Sequence, residues 1–215
     1  MEDCVYCGAE ATQRDHIPPR CLFKKPRPDL ITVPSCADCN QGASTDDEYL
    51  RLVLSMRHDT YEHPDASKAW TKALRSLRRP QARGLRKKTL DAVHTVNLQT
   101  ESGLYVGKAG AINVDLPRTE RVVERTMVGL YYHHRDQRLL DEFEATAFAL
   151  DGLPESDVEI AEYFVRLYQF VSEADLYAIG EDAFTYRMRF LEDRPEAGVF
   201  FCTFYGAVNF IGSFA

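Results

Sequence analysis

Apolar residues along this chain recur every second position in some stretches and at 3- and 4-residue steps in others, which divides it into expected strands and helices. Residues 11–16 read as a short strand stopped by Pro18-Pro19, and residues 30–33 as a second one ended by Pro34. Thr45 followed by Glu48 has the form of a capping box, and Tyr49, Leu52, Val53 and Met56 follow at helical spacing. Residues 68–79 predict a second helix, with Trp70, Ala73, Leu74 and Leu77 on one side. Strands are expected at 93–98, 104–106 and 111–114. Pro117 suits the first turn of a helix that turns Val122, Val123, Thr126, Met127, Leu130 and Tyr131 inward. Residues 143–150 read as a strand, and Pro154 opens a helix through Phe164, Leu167 and Tyr168. Phe184, Tyr186, Met188 and Phe190 alternate with polar residues, and residues 199–205 return as a strand buried on both faces. There is no internal repeat. The expected fold class is α+β.

Composition fits an ordinary globular protein, at 45% hydrophobic and 27% charged residues over 215 positions. No apolar run reaches the length of a membrane span, and the acidic start is unlike a signal peptide. The expected setting is therefore the cytoplasm, with no membrane partner. The net charge of −7 hides an asymmetry. Residues 1–90 hold 16 Lys/Arg against 12 Asp/Glu, whereas residues 91–215 hold 10 against 21. Residues 68–88 contain nine basic side chains and no acid. This places a boundary near residue 90: a first module at 1–60, a basic connector at 61–90, and an acidic α+β domain at 91–215 of open role.

Two Cys-x-x-Cys knuckles, Cys4/Cys7 and Cys36/Cys39, supply the thiolate set of a tetrahedral structural zinc site. In a chain without an export signal, paired cysteines favour metal over disulfides. Between the knuckles lies Arg14-Asp15-His16-Ile17-Pro18-Pro19, and Asn40 directly follows the second. Hydrolysing a phosphodiester needs a base poised near neutral pH, which imidazole supplies, and a cation for the developing charge. Asp15 and the Asn40 amide are hard oxygen donors suited to such an ion.

As a combination, Cys4/Cys7, Asp15-His16 and Cys36/Cys39-Asn40 resemble the zinc-containing HNH endonucleases, a branch of the ββα-metal or His-Me finger nucleases, over roughly residues 4–58. The resemblance implies a structural zinc in the four cysteines and a separate catalytic divalent ion, usually magnesium. It also implies His16 as general base and Asp15 with Asn40 as ligands of that ion. The third HNH position falls at Glu48 or Tyr49, where no histidine stands. Glu48 is a possible ligand, but the capping box uses the same side chain. Neighbours on a regular strand point to opposite faces, so Asp15 and His16 share a site only at a strand end, which Pro18-Pro19 is expected to provide.

The implied function is metal-dependent hydrolysis of DNA. Phosphate contacts are expected from Lys68, Lys72, Arg75, Arg79, Arg83, Arg86, Lys87 and Lys88. A protein partner or second copy could use the acidic domain. The competing reading is a non-catalytic zinc-binding module for nucleic acid or protein, with Asn40 merely closing its knuckle. Cys21 and Cys202 read as buried thiols, and His94, His133 and His134 as structural.

Overall fold

The computed structural model describes residues 2–27, 30–100, 102–152 and 158–215. The chain divides into two units. The first joins residues 1–70 to residues 116–215, and the second comprises residues 71–115. The expected boundary near 90 falls inside the second unit. The first module and the C-terminal half instead belong to a single unit. Charge asymmetry marked a change of surface, which is independent of which segments share a core.

Unit one opens with the first knuckle, followed by the antiparallel strands β1 (Gln13–Ile17) and β2 (Ile31–Ser35). Helix α1 (Ala37–Met56) follows at once. The capping box at Thr45–Glu48 is not used, because α1 begins eight residues earlier. Its N-cap is Cys36, whose Sγ accepts a hydrogen bond from the Cys39 N–H at 3.4 Å. The second knuckle is thus itself the first helical turn, and its thiol satisfies a donor that a hydroxyl would otherwise take. Pro34 lies within β2 rather than ending it.

Helix α2 (Pro64–Leu77) starts earlier than expected and ends before Arg79. In unit two, α3 (Arg83–Asp91) leads into a hairpin of β3 (Val93–Gln99) and β4 (Tyr105–Ile112). The two short strands expected at 104–106 and 111–114 are this one strand. Gly107 and Gly110 do not turn the chain but pair opposite Leu98 and Thr95.

Unit one resumes with α4 (Leu116–Arg135), which buries Val122, Val123, Thr126, Met127, Leu130 and Tyr131 as the periodicity predicts. A five-stranded antiparallel sheet follows, built from β5 (Ala145–Ala149), β6 (Tyr177–Ile179), β7 (Phe184–Phe190), β8 (Gly198–Phe204) and β9 (Val208–Phe214) in the order β5-β9-β8-β7-β6. Helix α5 (Val158–Ser172) lies between β5 and β6 in the chain; the start expected at Pro154 is outside the described residues. Strand β8 explains the layering. Phe200, Cys202 and Phe204 join the core shared with α4, while Val199 and Phe201 on the opposite face pack with Phe164 and Val171 of α5. The sheet is therefore covered on both sides. The first core also takes in Ile17, Leu22, Phe23, Val33, Leu50 and Leu54. Tyr205 Oη donates to the Leu22 carbonyl at 2.7 Å, tying the β8–β9 turn to the segment after β1. Among the described residues no helix is long and apolar enough to cross a membrane.

Candidate functional site

The first knuckle sits on β2 through a hydrogen bond from Val5 N–H to the Pro34 carbonyl, which brings it beside the start of α1. Gly8 follows it with φ +73°, a left-handed conformation that glycine adopts without strain. The ligand atoms of Cys4, Cys7, Cys36 and Cys39 consequently lie within 4.8 Å of one another, a set compatible with a structural zinc ion. Cys7 and Cys36 Sγ are 3.7 Å apart. Burial works to raise the Cys4 thiol, but backbone donors of Cys36, Tyr6 and Cys7 bring it down to about 6. Burial and the neighbouring thiols push Cys39 far up. The Cys4 thiolate forms readily here, whereas Cys7 and Cys39 resist until a cation arrives.

The other predicted site residues are arranged differently from the expectation. Asp15 and His16 both lie inside β1, opposite Val33 and Thr32, so the strand end after Ile17 does not bring them to one side. Asp15 is buried on the inward face with Ile17, and His16 is half-buried on the other. Burial, with the charges of Arg20 and Arg27, holds His16 below its ordinary value, against a smaller raising effect of Asp15. Its imidazole is therefore neutral near pH 7. Arg20 and Arg27 were not singled out from sequence.

Asp15 is fully engaged. Its Oδ2 accepts from Tyr6 Oη at 2.8 Å and from Arg125 Nε and Nη2 at 3.0 and 2.6 Å. Its Oδ1 accepts the His16 N–H at 2.9 Å. The Arg125 guanidinium also lies 3.9 Å from the Tyr6 ring centroid, a cation–π contact. Asn40 stands in the first turn of α1, and its Nδ2 donates to Gln13 Oε1 at 2.7 Å. Glu48 is exposed and meets Arg51 Nη2 at 3.7 Å, and it does not cap α1, whose N-cap is Cys36. Asp47, its neighbour, is the inward carboxylate, with Oδ1 buried and without a hydrogen-bond partner. Burial, followed by the Asp15 charge, pushes Asp47 up to about 7.

Asp15 and Asn40 are thus the right donor types for a catalytic divalent ion, but this arrangement does not fit one. The outer oxygen of Asp15 is taken by a cation and a hydroxyl, and His16 is on the opposite face of the strand. Among the described residues, the four cysteines are the only group of three or more His, Cys, Asp or Glu side chains that converges.

The basic residues stand where a solvated face or a polyanion would meet them. Lys68 and Arg75 are exposed on α2 and Lys72 is half-buried there; Arg79 is exposed beyond its end; Arg83, Arg86, Lys87 and Lys88 are exposed on α3. Cys202 is fully buried and Cys21 donates to the Asp47 carbonyl at 3.6 Å. His134 bonds to Tyr186 Oη at 2.9 Å and lies tilted against the Tyr177 ring, 4.8 Å between centroids, a packing role as expected.

Asp47 carries a stability prediction. A carboxyl whose folded value lies above its unfolded one near 3.9 makes the fold lose stability as pH rises from about 4 to about 7. Asp47→Asn removes that loss. Urea unfolding should therefore show a gain on the order of 1–3 kcal/mol at pH 8 and a smaller one at pH 5. An equal effect at both values would mean that Asp47 is not the titrating group.

Comparison of the chain with protein-family models, curated proteins and solved structures gives no match.

Proposed function

We propose that residues 4–58 form a zinc-stabilised ββα module of the HNH kind that hydrolyses phosphodiester bonds, with His16 as general base and nucleic acid as substrate. The observation that carries this reading is His16 itself, neutral and half-buried on the outer face of β1 under the charges of Arg20 and Arg27. A neutral imidazole can take a proton from water, and guanidinium groups beside it suit a phosphate whose charge grows in the transition state. The module's outline also agrees: an antiparallel strand pair leads directly into a helix whose first turn holds the second cysteine pair. Zinc in the four cysteines would fix the knuckles against the strand pair and leave the chemistry to His16.

The Arg125–Asp15 ion pair favours a second reading, a zinc-bearing module that binds nucleic acid without cutting it. Incubating zinc-loaded protein with supercoiled plasmid, with and without added magnesium, separates the two. Nicked or linear product supports the nuclease; intact plasmid with retarded mobility supports the binding module.

In either case the exposed basic residues of unit two should carry phosphate contacts. Replacing Arg75, Arg79 and Arg83 together by glutamine should flatten the dependence of log affinity on log salt by up to about 2.7, at about 0.9 per duplex phosphate. Unchanged affinity and slope would assign these side chains to a solvated surface.

A further inference from the structure

We infer that residues 71–115 are a β-ribbon reader of duplex DNA, in which the exposed face of the β3–β4 hairpin enters the major groove. This deepens the nucleic-acid reading given above and rests on it. Directly opposed residues of a hairpin share a face, and the register sets Asn97 against Lys108 and Thr95 against Gly110. Thr95, Asn97 and Gln99 alternate along β3, so they stand on that same face. All five are exposed, whereas Val96, Ala109 and Ala111 on the other face are half-buried. The outer face of the hairpin is its hydrogen-bonding one.

The chemistry and the dimensions fit a groove. The major groove of B-DNA admits a two-stranded ribbon, and threonine, asparagine, glutamine and lysine are side chains that bond base edges there. Residues two apart on a strand lie roughly 6.7 Å from one another, the span of two base-pair steps of ~3.4 Å. Gly110 supplies a separate observation. It stands inside β4 without a left-handed φ, and a Cβ added there would meet, among the described residues, only Val93 Cγ1 at 3.7 Å. Glycine weakens a strand, so packing within the hairpin does not explain it, but close approach of another surface does.

Charge identifies the occupant. Residues 71–115 hold nine Lys/Arg against three Asp/Glu, a balance of +6, while the rest of the chain stands at −13. Arg83, Arg86, Lys87 and Lys88 are exposed on α3, which Ala92 alone separates from β3. A second copy of this unit would set +6 against +6, a repulsion that a polyanion reverses. Phosphate contacts from α3 then fix the register, and the hairpin face reads the sequence.

The test uses the full zinc-loaded chain carrying His16→Ala, so that binding is read without cleavage. Preferred sites are selected from a random duplex library and compared with scrambled duplex, single strands and RNA. The selected duplex should bind about tenfold more tightly than the scrambled one, or better. Methylating its guanine N7 atoms, which face the major groove, should block the complex. Asn97→Ala/Gln99→Ala should erase the preference while keeping the affinity for scrambled duplex and its salt dependence. Arg86→Gln/Lys87→Gln should weaken both duplexes alike and flatten the log–log salt slope by up to about 1.8. Gly110→Val should melt no lower than its parent yet lose the selected duplex. The selection and methylation arms need no further variant, so they decide the matter even where a substitution disturbs folding. Duplex bound without preference, binding that ignores N7 methylation, or a preference for single strands or RNA would overturn the ribbon reading and leave nucleic-acid binding standing. Protein that binds none of these ligands would overturn the nucleic-acid reading itself, and this inference with it.

Discussion

His16→Ala will lose about two to four orders of magnitude in cleavage rate while keeping its metal content and its affinity for nucleic acid. A general base acts on the chemical step, and His16 is half-buried on the outer face of β1, where truncation opens little of the core. The pH profile adds a sign. Burial and the positive charges of Arg20 and Arg27 hold His16 below the ordinary histidine value of about 6.5, so the active neutral form accumulates at lower pH than for a free imidazole. The rate should rise with pH below that value and be level by neutral pH. Arg20→Gln should move the rising limb upward, since it removes a charge that opposes protonation. A limb centred well above pH 7 would place the titrating base elsewhere.

The second large effect is expected from the cysteines. Stripping the metal, or Cys36→Ser, should free residues 2–12 and unravel the start of α1, seen as new protease cleavage there and a melting temperature many degrees lower. Metal bound by closed thiolate sets contributes on the order of 10 kcal/mol in small zinc modules. Here part of that support is replaced by packing, because Val5, Ile17, Val33 and Leu50 share a core with α4 and the sheet. The loss should therefore be local first, with the sheet and α4 still folded at moderate temperature. Protein that melts identically with and without a strong chelator, and carries no zinc, would contradict the metal reading.

The four cysteines were legible because metal ligands recur at fixed short spacings, and a Cys-x-x-Cys pair must place two thiols together. Helix α4 was legible for a similar reason: its inward positions repeat at helical spacing over several turns. The capping box failed because a stronger local signal, the knuckle, had already started the helix, and nothing in Thr45 to Glu48 tells the two apart. Strand β9 was passed over although Gly206, at φ +70°, marks the turn that returns the chain beside β8. The pairing of Asp15 with Arg125 was beyond reach. The two are 110 residues apart, and only the fold of α4 onto β1 brings them together. Asp47 was overlooked for the opposite reason. It sits beside Glu48, and without the phase of α1 there was no way to tell which of the two carboxylates turns inward.

The most direct test of the account is chemical rescue of His16→Ala on supercoiled plasmid. Zinc-loaded wild type should nick the plasmid, the variant should bind it without nicking, and added imidazole should restore part of the lost rate at pH 7 and less at pH 5. A wild type that leaves the plasmid intact, or a variant that cuts at the wild-type rate without imidazole, would contradict the assignment of His16 as the base.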